Sequence, residues 1–424
     1  MRKFYIQTYG CQMNVYDSRL IHTLFVRHGF QPVDNENDAD ILVVNSCSVR
    51  KKAEQKALDY AKGWRNKGKF VVFIGCVAVE HKDKLIDQGV ADLVLGHRAY
   101  GRLPELIEKG VGVVEMDSDE LLEFTALPLD RPAYSFSEFV TIMEGCDNFC
   151  SYCIVPFTRG RETYRPSEHI LEEIKNLEKQ GVIEVTLLGQ NINSYFDGQR
   201  DFSELLEYLA QNVSLYRLRF TTLNPRDVSV KMLKVIQNHL DVLTDWLHLP
   251  VQAGSTKVLR DMRRGYTKEE FIEMAHTVRK FLPEAVITTD IMVGFPTETE
   301  SDFEDTLDLV RKVEFDHAFM FIYSPRPRTK ASYWNDLPYE VKNARLRKLI
   351  DTVNEVARKR RERMLGKIYE VLVEGPSRKD PTRSAARTRG YLTVVLDRFL
   401  PPGERVKVKI VGIKGLTPLA KVLD

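Results

Sequence analysis

The sequence predicts an α/β protein in three parts. These are an N-terminal doubly wound parallel sheet, a central open (β/α)6 barrel, and a small antiparallel β-barrel at the C-terminal end. Three observations carry this. Strand-like apolar runs alternate with helical periods from Lys3 to about Ile322, the pattern of parallel sheets covered by helices. A segment at 117–137, acidic and then holding Pro128 and Pro132, interrupts the alternation. After Gly366 the pattern changes to short strands punctuated by Gly375-Pro376, Pro401-Pro402-Gly403 and Gly415. The expected boundaries are 1–120, a linker at 121–137, 138–365 and 366–424.

The chain has 424 residues, of which 43% are hydrophobic, enough for two or three buried cores. Its net charge of +2 says little about partners. No apolar run is long enough to span a bilayer, and Met1-Arg2-Lys3-Phe4-Tyr5-Ile6 enters a strand without the pattern of a signal peptide. The expectation is a cytoplasmic monomer with no membrane partner. In that setting the six cysteines argue for metal or redox chemistry rather than disulfides.

In the first part, strands are expected at Lys3–Tyr9, Ala39–Asn45, Lys69–Ile74, Asp92–Leu95 and Gly112–Glu115. Helices are expected at about 14–28 and 49–66, after the third strand, and near Leu103. A cysteine follows each of the first three strands: Tyr9-Gly10-Cys11, Asn45-Ser46-Cys47 and Ile74-Gly75-Cys76. The carboxyl ends of parallel strands share one edge, the edge where open α/β sheets place ligands. Gly10 and Gly75 leave the backbone room to turn. A lone cysteine is usually a small core hydrophobe. Three at equivalent strand ends are harder to explain by packing and suit a second three-thiolate cluster.

The second part opens with a strand at Glu138–Met143 that feeds Gly145-Cys146-Asp147-Asn148-Phe149-Cys150-Ser151-Tyr152-Cys153. This CxxxCxxC spacing lets three thiolates face one point. That suits three corners of a 4Fe–4S cluster with the fourth iron open to a ligand. Zinc normally takes four ligands, but no fourth cysteine is near and the next histidine downstream is His169. Ser167 is the expected N-cap of a helix reaching Gln180 and ended by Gly181. Strands then fall at 183–188, 216–221, 245–249, 286–291 and 317–322, with helices at 201–211, 227–238, 255–281 and 300–313. With the first pair this gives six βα units, two short of a closed barrel. Polar residues at the strand ends are the binding candidates: Gln190, Asn191, Asn193, Thr222, Asn224, His248, Gln252 and Asp290, with Arg263 as a partner for a carboxylate. Asn191 and Asn224 equally suit turns, and Asp290 a helix cap. The run from Ser324 to Lys330 is basic and constrained by prolines. A long helix at about 341–365 ends in Arg358, Lys359, Arg360, Arg361 and Arg363, either a solvated face or a phosphate track.

The third part reads as strands at 368–374, 390–396, 406–411 and 419–423. It carries 12 Lys/Arg against 6 Asp/Glu, whereas the remaining 365 residues carry 50 against 54. Positive charge concentrated in this way suits a module that grips a phosphate backbone. Arg383, Arg387 and Arg389 are expected in a loop facing RNA. Tyr369, Tyr391 and Phe399 are its candidate stacking aromatics, too few for base-specific reading.

CxxxCxxC with an aromatic before the last cysteine resembles the signature of the radical S-adenosylmethionine (SAM) superfamily. Tyr9-Gly10-Cys11-Gln12-Met13-Asn14, Asn45-Ser46-Cys47-Ser48-Val49-Arg50 and Gly75-Cys76-Val77-Ala78 are similar to the N-terminal domain of methylthiotransferases, closest to the MiaB type that modifies tRNA. His248-Leu249-Pro250-Val251-Gln252-Ala253-Gly254-Ser255 and Gly294-Phe295-Pro296-Thr297-Glu298-Thr299-Glu300 extend the resemblance. The last part resembles a TRAM domain, an RNA-binding module. The resemblance implies two 4Fe–4S clusters. The one on Cys146, Cys150 and Cys153 would bind SAM and cleave it to a 5′-deoxyadenosyl radical. The one on Cys11, Cys47 and Cys76 would carry the sulfur to be inserted, and a second SAM would supply the methyl group. Gln190, Asn191, Asn193, Thr222, His248, Gln252, Arg263 and Asp290 would hold SAM. The implied substrate is a tRNA anticodon stem-loop, whose target adenosine must leave its stack. The implied partners are an electron donor such as flavodoxin or ferredoxin and a sulfur donor. Two alternatives stand beside this. One is a methylthiotransferase acting on threonylcarbamoyladenosine tRNA or on a ribosomal-protein aspartate. The other is an iron–sulfur RNA-binding protein without radical chemistry.

Overall fold

Strand β1 (Lys3–Tyr9) lies between β2 (Gln31–Pro32) and β3 (Ile41–Ser46), and the sheet continues through β4 (Phe70–Gly75), β5 (Leu93–Leu95) and β6 (Val113–Glu115). Every pairing is parallel, as expected from the alternation. This is a computed structural model that describes residues 2–48, 51–110, 112–116 and 135–423. All but the end of the expected linker therefore lies outside the described residues. The chain divides into two compact units. One comprises 1–135, 139–147 and 154–180; the other comprises 136–138, 148–153 and 181–424.

In the first unit, helix α1 (Gln12–Arg27) follows β1 and α2 (Lys51–Arg65) follows β3. All six residues of β3 are buried, as a central strand covered on both faces must be. Ala57, Ala61 and Trp64 of α2 pack into the cluster that contains Leu42, Val44, Val71 and Phe73. The chain leaves β1 for β2 on one side, then crosses back so that β3 and β4 extend the other. The gap between the ends of β1 and β3 is therefore a topological switch point. This unit also holds the hairpin of β8 (Met143–Glu144) with β9 (Thr163–Tyr164). The helix Ser167–Lys179 follows, but Ser167 is its first residue. Pro166 occupies the cap and no side chain caps the end, because the proline already fixes the entry φ and lacks an N–H. Gly181, at φ 84°, ends the helix as expected.

The barrel strands follow the expected order: β7 (Ser137–Thr141), β10 (Glu184–Leu188) and β11 (Arg217–Thr221), then β12 (Trp246–His248), β13 (Val286–Val293) and β14 (His317–Ile322). The two threes are joined by a bridge between Leu218 and Leu243, and among the described residues the outer strands β7 and β14 do not pair, so the arc is open, as six βα units imply. Asp290 lies inside β13 and caps no helix. The long helix Tyr339–Glu362 ends in cations that are mostly committed. Arg360 and Arg361 pair with Asp316, Arg363 with Glu314, and Lys359 with Glu355. A free phosphate track is thereby corrected to a set of structural ion pairs.

Residues 368–422 close a five-stranded barrel, β15 (Ile368–Ser377), β16 (Asp380–Thr388), β17 (Thr393–Leu396), β19 (Thr417–Val422) and β18 (Arg405–Lys414). Strand β16 is absent from the sequence expectation, which puts Arg383, Arg387 and Arg389 in an RNA-facing loop. Arg383 and Arg387 lie on the strand instead, and Arg387 pairs with Glu374 at 2.9 Å. Arg389 donates to the carbonyls of Leu243 at 3.0 Å and Asp241 at 3.3 Å. The strand is hidden because its inward residues, Ser384, Ala386 and Thr388, are too small to give an apolar alternation.

Candidate functional site

The first constellation is built by register. Tyr9 pairs with Ser46 and Ser46 with Gly75, so the cysteines that follow leave the sheet side by side. Gly75 has φ 91°, and a Cβ there would lie 2.3 Å from the Ser46 carbonyl oxygen; only glycine fits. Gly10 is needed for a different reason, since a Cβ there would lie 2.2 Å from Asn14 Oδ1. Asn14 ties the two loops of the switch point together. Its Nδ2 donates to Asn45 Oδ1 at 2.8 Å, Asn45 Nδ2 returns a bond to the Asn14 carbonyl at 2.8 Å, and Asn14 Oδ1 accepts from the Cys11 amide at 3.2 Å.

Cys11 is exposed, whereas Cys47 and Cys76 are buried. The thiols interact. Hydrogen bonding with Cys11 and Cys76, then burial, holds the Cys47 proton on. Hydrogen bonding with Cys47 pulls Cys11 and Cys76 below the ordinary thiol range, for the buried Cys76 against the effect of burial, with the charge of Arg159 helping. His97 Nε2 lies 3.8 Å from Cys76 Sγ. Arg159 is buried and held by Asp17 at 2.8 Å and Glu144 at 3.1 Å. A charge so far from water is expected only where partners hold it. The cysteines stand out in the sequence, and Asn14 and Asn45 lie within the motifs around them; the roles of Asp17 and Arg159 have no local signal.

The central cysteine loop contributes to both units. In the first, the Cys146 amide donates to the Gly160 carbonyl at 3.2 Å, and Gly145 (φ 82°) sits where a Cβ would be 2.1 Å from the Arg161 oxygen. In the second, the Cys153 amide bonds the Cys150 carbonyl at 3.0 Å, and the Ser151 amide bonds the Met262 carbonyl at 3.1 Å. Arg264, 8% exposed, places Nη1 3.5 Å from Cys150 Sγ and is fixed by the Pro250 carbonyl at 2.7 Å and the Tyr266 hydroxyl at 3.0 Å. Arg263, the residue singled out from the sequence, is exposed at φ 60°, and its neighbour makes the contact with the cysteine.

The other candidates lie along the strand ends of the second unit. Asn193 and Asn224 clasp each other, Nδ2 to carbonyl at 2.9 Å and amide to Oδ1 at 2.7 Å, so both serve loop architecture. The Ile192 amide bonds the Thr222 carbonyl at 3.0 Å, which brings the loop of Gln190 and Asn191 beside Thr222. His248 Nε2 is 3.6 Å from Asp290 Oδ1, and Gln252, at φ 73°, bonds the Asp290 carbonyl through its amide at 2.9 Å. The basic run from Ser324 is split: Arg326 is buried, while Arg328 and Lys330 are exposed.

On the C-terminal barrel, Arg405, Lys407 and Lys409 alternate along β18 on its exposed side, and Lys409 lies opposite Lys421 on β19. Like charges paired across a ladder are unfavourable on their own and suit a polyanion.

Comparison with known proteins agrees with this layout. The radical SAM superfamily matches residues 140–310, the uncharacterized protein family UPF0004 matches 3–96, and the TRAM domain matches 362–422. A tRNA-2-methylthio-N(6)-dimethylallyladenosine synthase of Parabacteroides distasonis is 41% identical over 96% of this chain and 93% of its own. One of Geobacillus thermodenitrificans is 40% identical over 98% and 82%. Among solved structures, the radical SAM methyltransferase TsrM from Kitasatospora setae, with cobalamin and a 4Fe–4S cluster bound, superposes at a TM-score of 0.61. It covers 78% of this chain and 77% of its own at 12% identity, a likeness of fold. The chain belongs to the radical SAM methylthiotransferases of the MiaB type.

Proposed function

We propose that this protein inserts a sulfur atom and a methyl group at C2 of N6-dimethylallyladenosine in tRNA, at position 37 beside the anticodon. The observation that carries the reading is the near-full-length likeness to relatives named for that product. SAM and 4Fe–4S clusters are the cofactors, as membership of the family implies. In our reading, Cys146, Cys150 and Cys153 ligate one cluster and Cys11, Cys47 and Cys76 the other. Three interacting thiols at adjacent strand ends, two of them inclined to ionise, suit a three-thiolate site with one position open. When bound, these groups supply the electron, the radical, the sulfur and the methyl.

The chain's own residues bind and orient. Asn14 and Asn45 hold the loops of the first triad together, and Arg159 offsets its negative charge. Arg264 does the same beside Cys150. Gln190, Asn191, Thr222, His248, Gln252 and Asp290 line the edge on which we place SAM, with Arg263 at its margin and Asn193 fixing the loop. The domains are taken as 1–120, 138–365 and 366–424, supported by the three family matches. The anticodon stem-loop is gripped by Arg405, Lys407, Lys409 and Lys421. A low-potential donor such as flavodoxin or ferredoxin and a separate sulfur donor complete the system. No helix among the described residues is long and apolar enough to cross a membrane, and we take the enzyme as a cytoplasmic monomer.

The test is anaerobic reconstitution, followed by mass spectrometry of nucleosides from tRNA given SAM and reductant. The expected products are 5′-deoxyadenosine and the methylthiolated dimethylallyladenosine, with about eight iron per chain. Replacing Cys11, Cys47 and Cys76 by Ala should leave about four iron, keep SAM cleavage and abolish sulfur transfer. Absence of 5′-deoxyadenosine would leave an iron–sulfur RNA-binding protein. Methylthiolation of threonylcarbamoyladenosine or of a protein aspartate would move the enzyme to a sister group.

A further inference from the structure

Polar side chains recur at alternate positions along the strands of the open barrel. On β13, Ile287, Thr289 and Ile291 are fully buried, and Thr288 and Asp290 alternate with them on the other face. Trp246 and His248 of β12, Arg217 and Arg219 of β11, and Glu184 of β10 share the polar set. Arg219 and Glu184 are joined at 2.8 Å. Polar residues on the concave side of so short a barrel need partners, and one comes from the C-terminal domain.

That partner is Tyr391, in the turn between β16 and β17. Its ring lies 3.8 Å from the guanidinium carbon of Arg219 and 4.2 Å from that of Arg387, and 4.8 Å from the ring of Trp246. The turn is fixed in place by its surroundings. Tyr391 takes φ 62°, a conformation that non-glycine residues adopt only when neighbouring structure over-determines it. A Cβ on the adjacent Gly390 would come 2.3 Å from Val286 at the start of β13. Arg389 anchors the chain just before β12.

Behind Tyr391 runs an ordered relay. Trp246 Nε1 can only donate, and it does so to Thr288 Oγ1 at 3.0 Å. The same oxygen lies 3.0 Å from His248 Nδ1. A hydroxyl that accepts from the indole has its one proton to give, and Nδ1 stands in reach to receive it. Of the two neutral tautomers, only the one with the proton on Nε2 presents an N–H toward Asp290 Oδ1, at 3.6 Å, and it leaves Nδ1 bare to accept from Thr288.

We propose that Tyr391 is a positioning residue: it stoppers the amino-terminal mouth of the barrel and, through Trp246 and Thr288, fixes His248 as the Nε2–H tautomer at the strand ends. For the reaction, this rests on the reading that SAM lies at those ends.

The test uses the full-length, cluster-reconstituted enzyme. Nitrogen-15 spectra of the histidines, with His248 assigned through His248→Gln, are recorded for the parent, Tyr391→Ala, Tyr391→Phe, Trp246→Phe and Thr288→Val. The parent and Tyr391→Phe should show a bare Nδ1 and a protonated Nε2, because the contact uses the ring. Tyr391→Ala, Trp246→Phe and Thr288→Val should show mixed tautomers. In turnover, Tyr391→Ala should release about three- to ten-fold more 5′-deoxyadenosine per methylthio group, the range that loss of one aromatic contact corresponds to. Tyr391→Phe should restore the parent ratio. A single Nε2–H tautomer in Tyr391→Ala, or a tautomer other than Nε2–H in the parent, would overturn the proposal. Failure of the parent to cleave SAM would instead overturn the functional reading, and the nitrogen spectra would still decide the relay. Should Tyr391→Ala not fold, the spectra of Trp246→Phe and Thr288→Val decide it: mixed tautomers support the relay, and a single Nε2–H tautomer in both overturns it.

Discussion

Arg264 offers the sharpest test of the central cysteine site. Its guanidinium lies 3.5 Å from Cys150 Sγ at 8% exposure, so its charge acts with little screening by solvent. Full unit charges at that distance interact by about 5 kcal/mol at an effective dielectric of about 20. The electron added to a cluster is spread over its iron and sulfur atoms, so about 2 kcal/mol reaches the reduction step, or ~90 mV for one electron. Arg264→Gln should therefore lower the midpoint potential of the cluster that we propose on Cys146, Cys150 and Cys153 by ~90 mV. Arg264→Lys keeps the charge but loses the planar fork and should shift it by less than half as much. The assay is an EPR-monitored redox titration in a Cys11→Ala, Cys47→Ala, Cys76→Ala background, where only one cluster reports. Iron content and unfolding midpoint serve as controls. A potential within ~20 mV of the parent, with the cluster fully occupied, would refute the argument that this contact sets the reduction step.

Other substitutions probe other parts. Arg165 and Glu173 form a buried pair at 2.7 Å, and Arg165→Met should destabilise the first unit by about 3–5 kcal/mol in denaturant titration, since it strands a carboxylate. Changing Lys407 and Lys409 together to Gln should weaken tRNA binding and reduce the slope of log K against log salt by about 2, with little effect on SAM cleavage in the absence of tRNA. His81 carries a proton more firmly when folded, chiefly through its bond to Glu54 at 3.0 Å. Its pKa is raised on folding, so this stabilisation is fully present below the unfolded value near 6.5 and fades as pH rises through the folded value. Glu54→Gln should accordingly destabilise the protein at pH 6 and hardly at all at pH 9, as read by thermal unfolding.

The elements legible in the sequence were those whose signal is local. Cys11, Cys47 and Cys76 each follow an apolar run, and parallel pairing alone then brings them to one edge. Placing them there needs no knowledge of side-chain contacts. What escaped was non-local or differential. Arg159 meets Asp17 across 142 residues of sequence, and no window reveals that. Arg263 and Arg264 look alike as letters. The left-handed turn at Arg263 decides that one faces water and the other Cys150. Tyr391 read as a stacking aromatic for RNA, yet its ring faces Trp246 and Arg219, because the strand β16 that aims it was itself invisible.

The fixed register Tyr9–Ser46–Gly75 has a further consequence. Ligands carried on a loop are ordered by the group they bind, so an empty loop site relaxes and must be re-formed at an entropic cost of roughly 1–2 kcal/mol per residue. Residues set directly after neighbouring strands of a buried sheet are held in register by the hydrophobic core behind those strands. The sheet then works as a jig that keeps its shape with nothing clamped in it. On the ligation proposed for Cys11, Cys47 and Cys76, stripping and reloading that site is a ligand-exchange event rather than a folding event, and chelation should leave the melting of β1, β3 and β4 almost untouched.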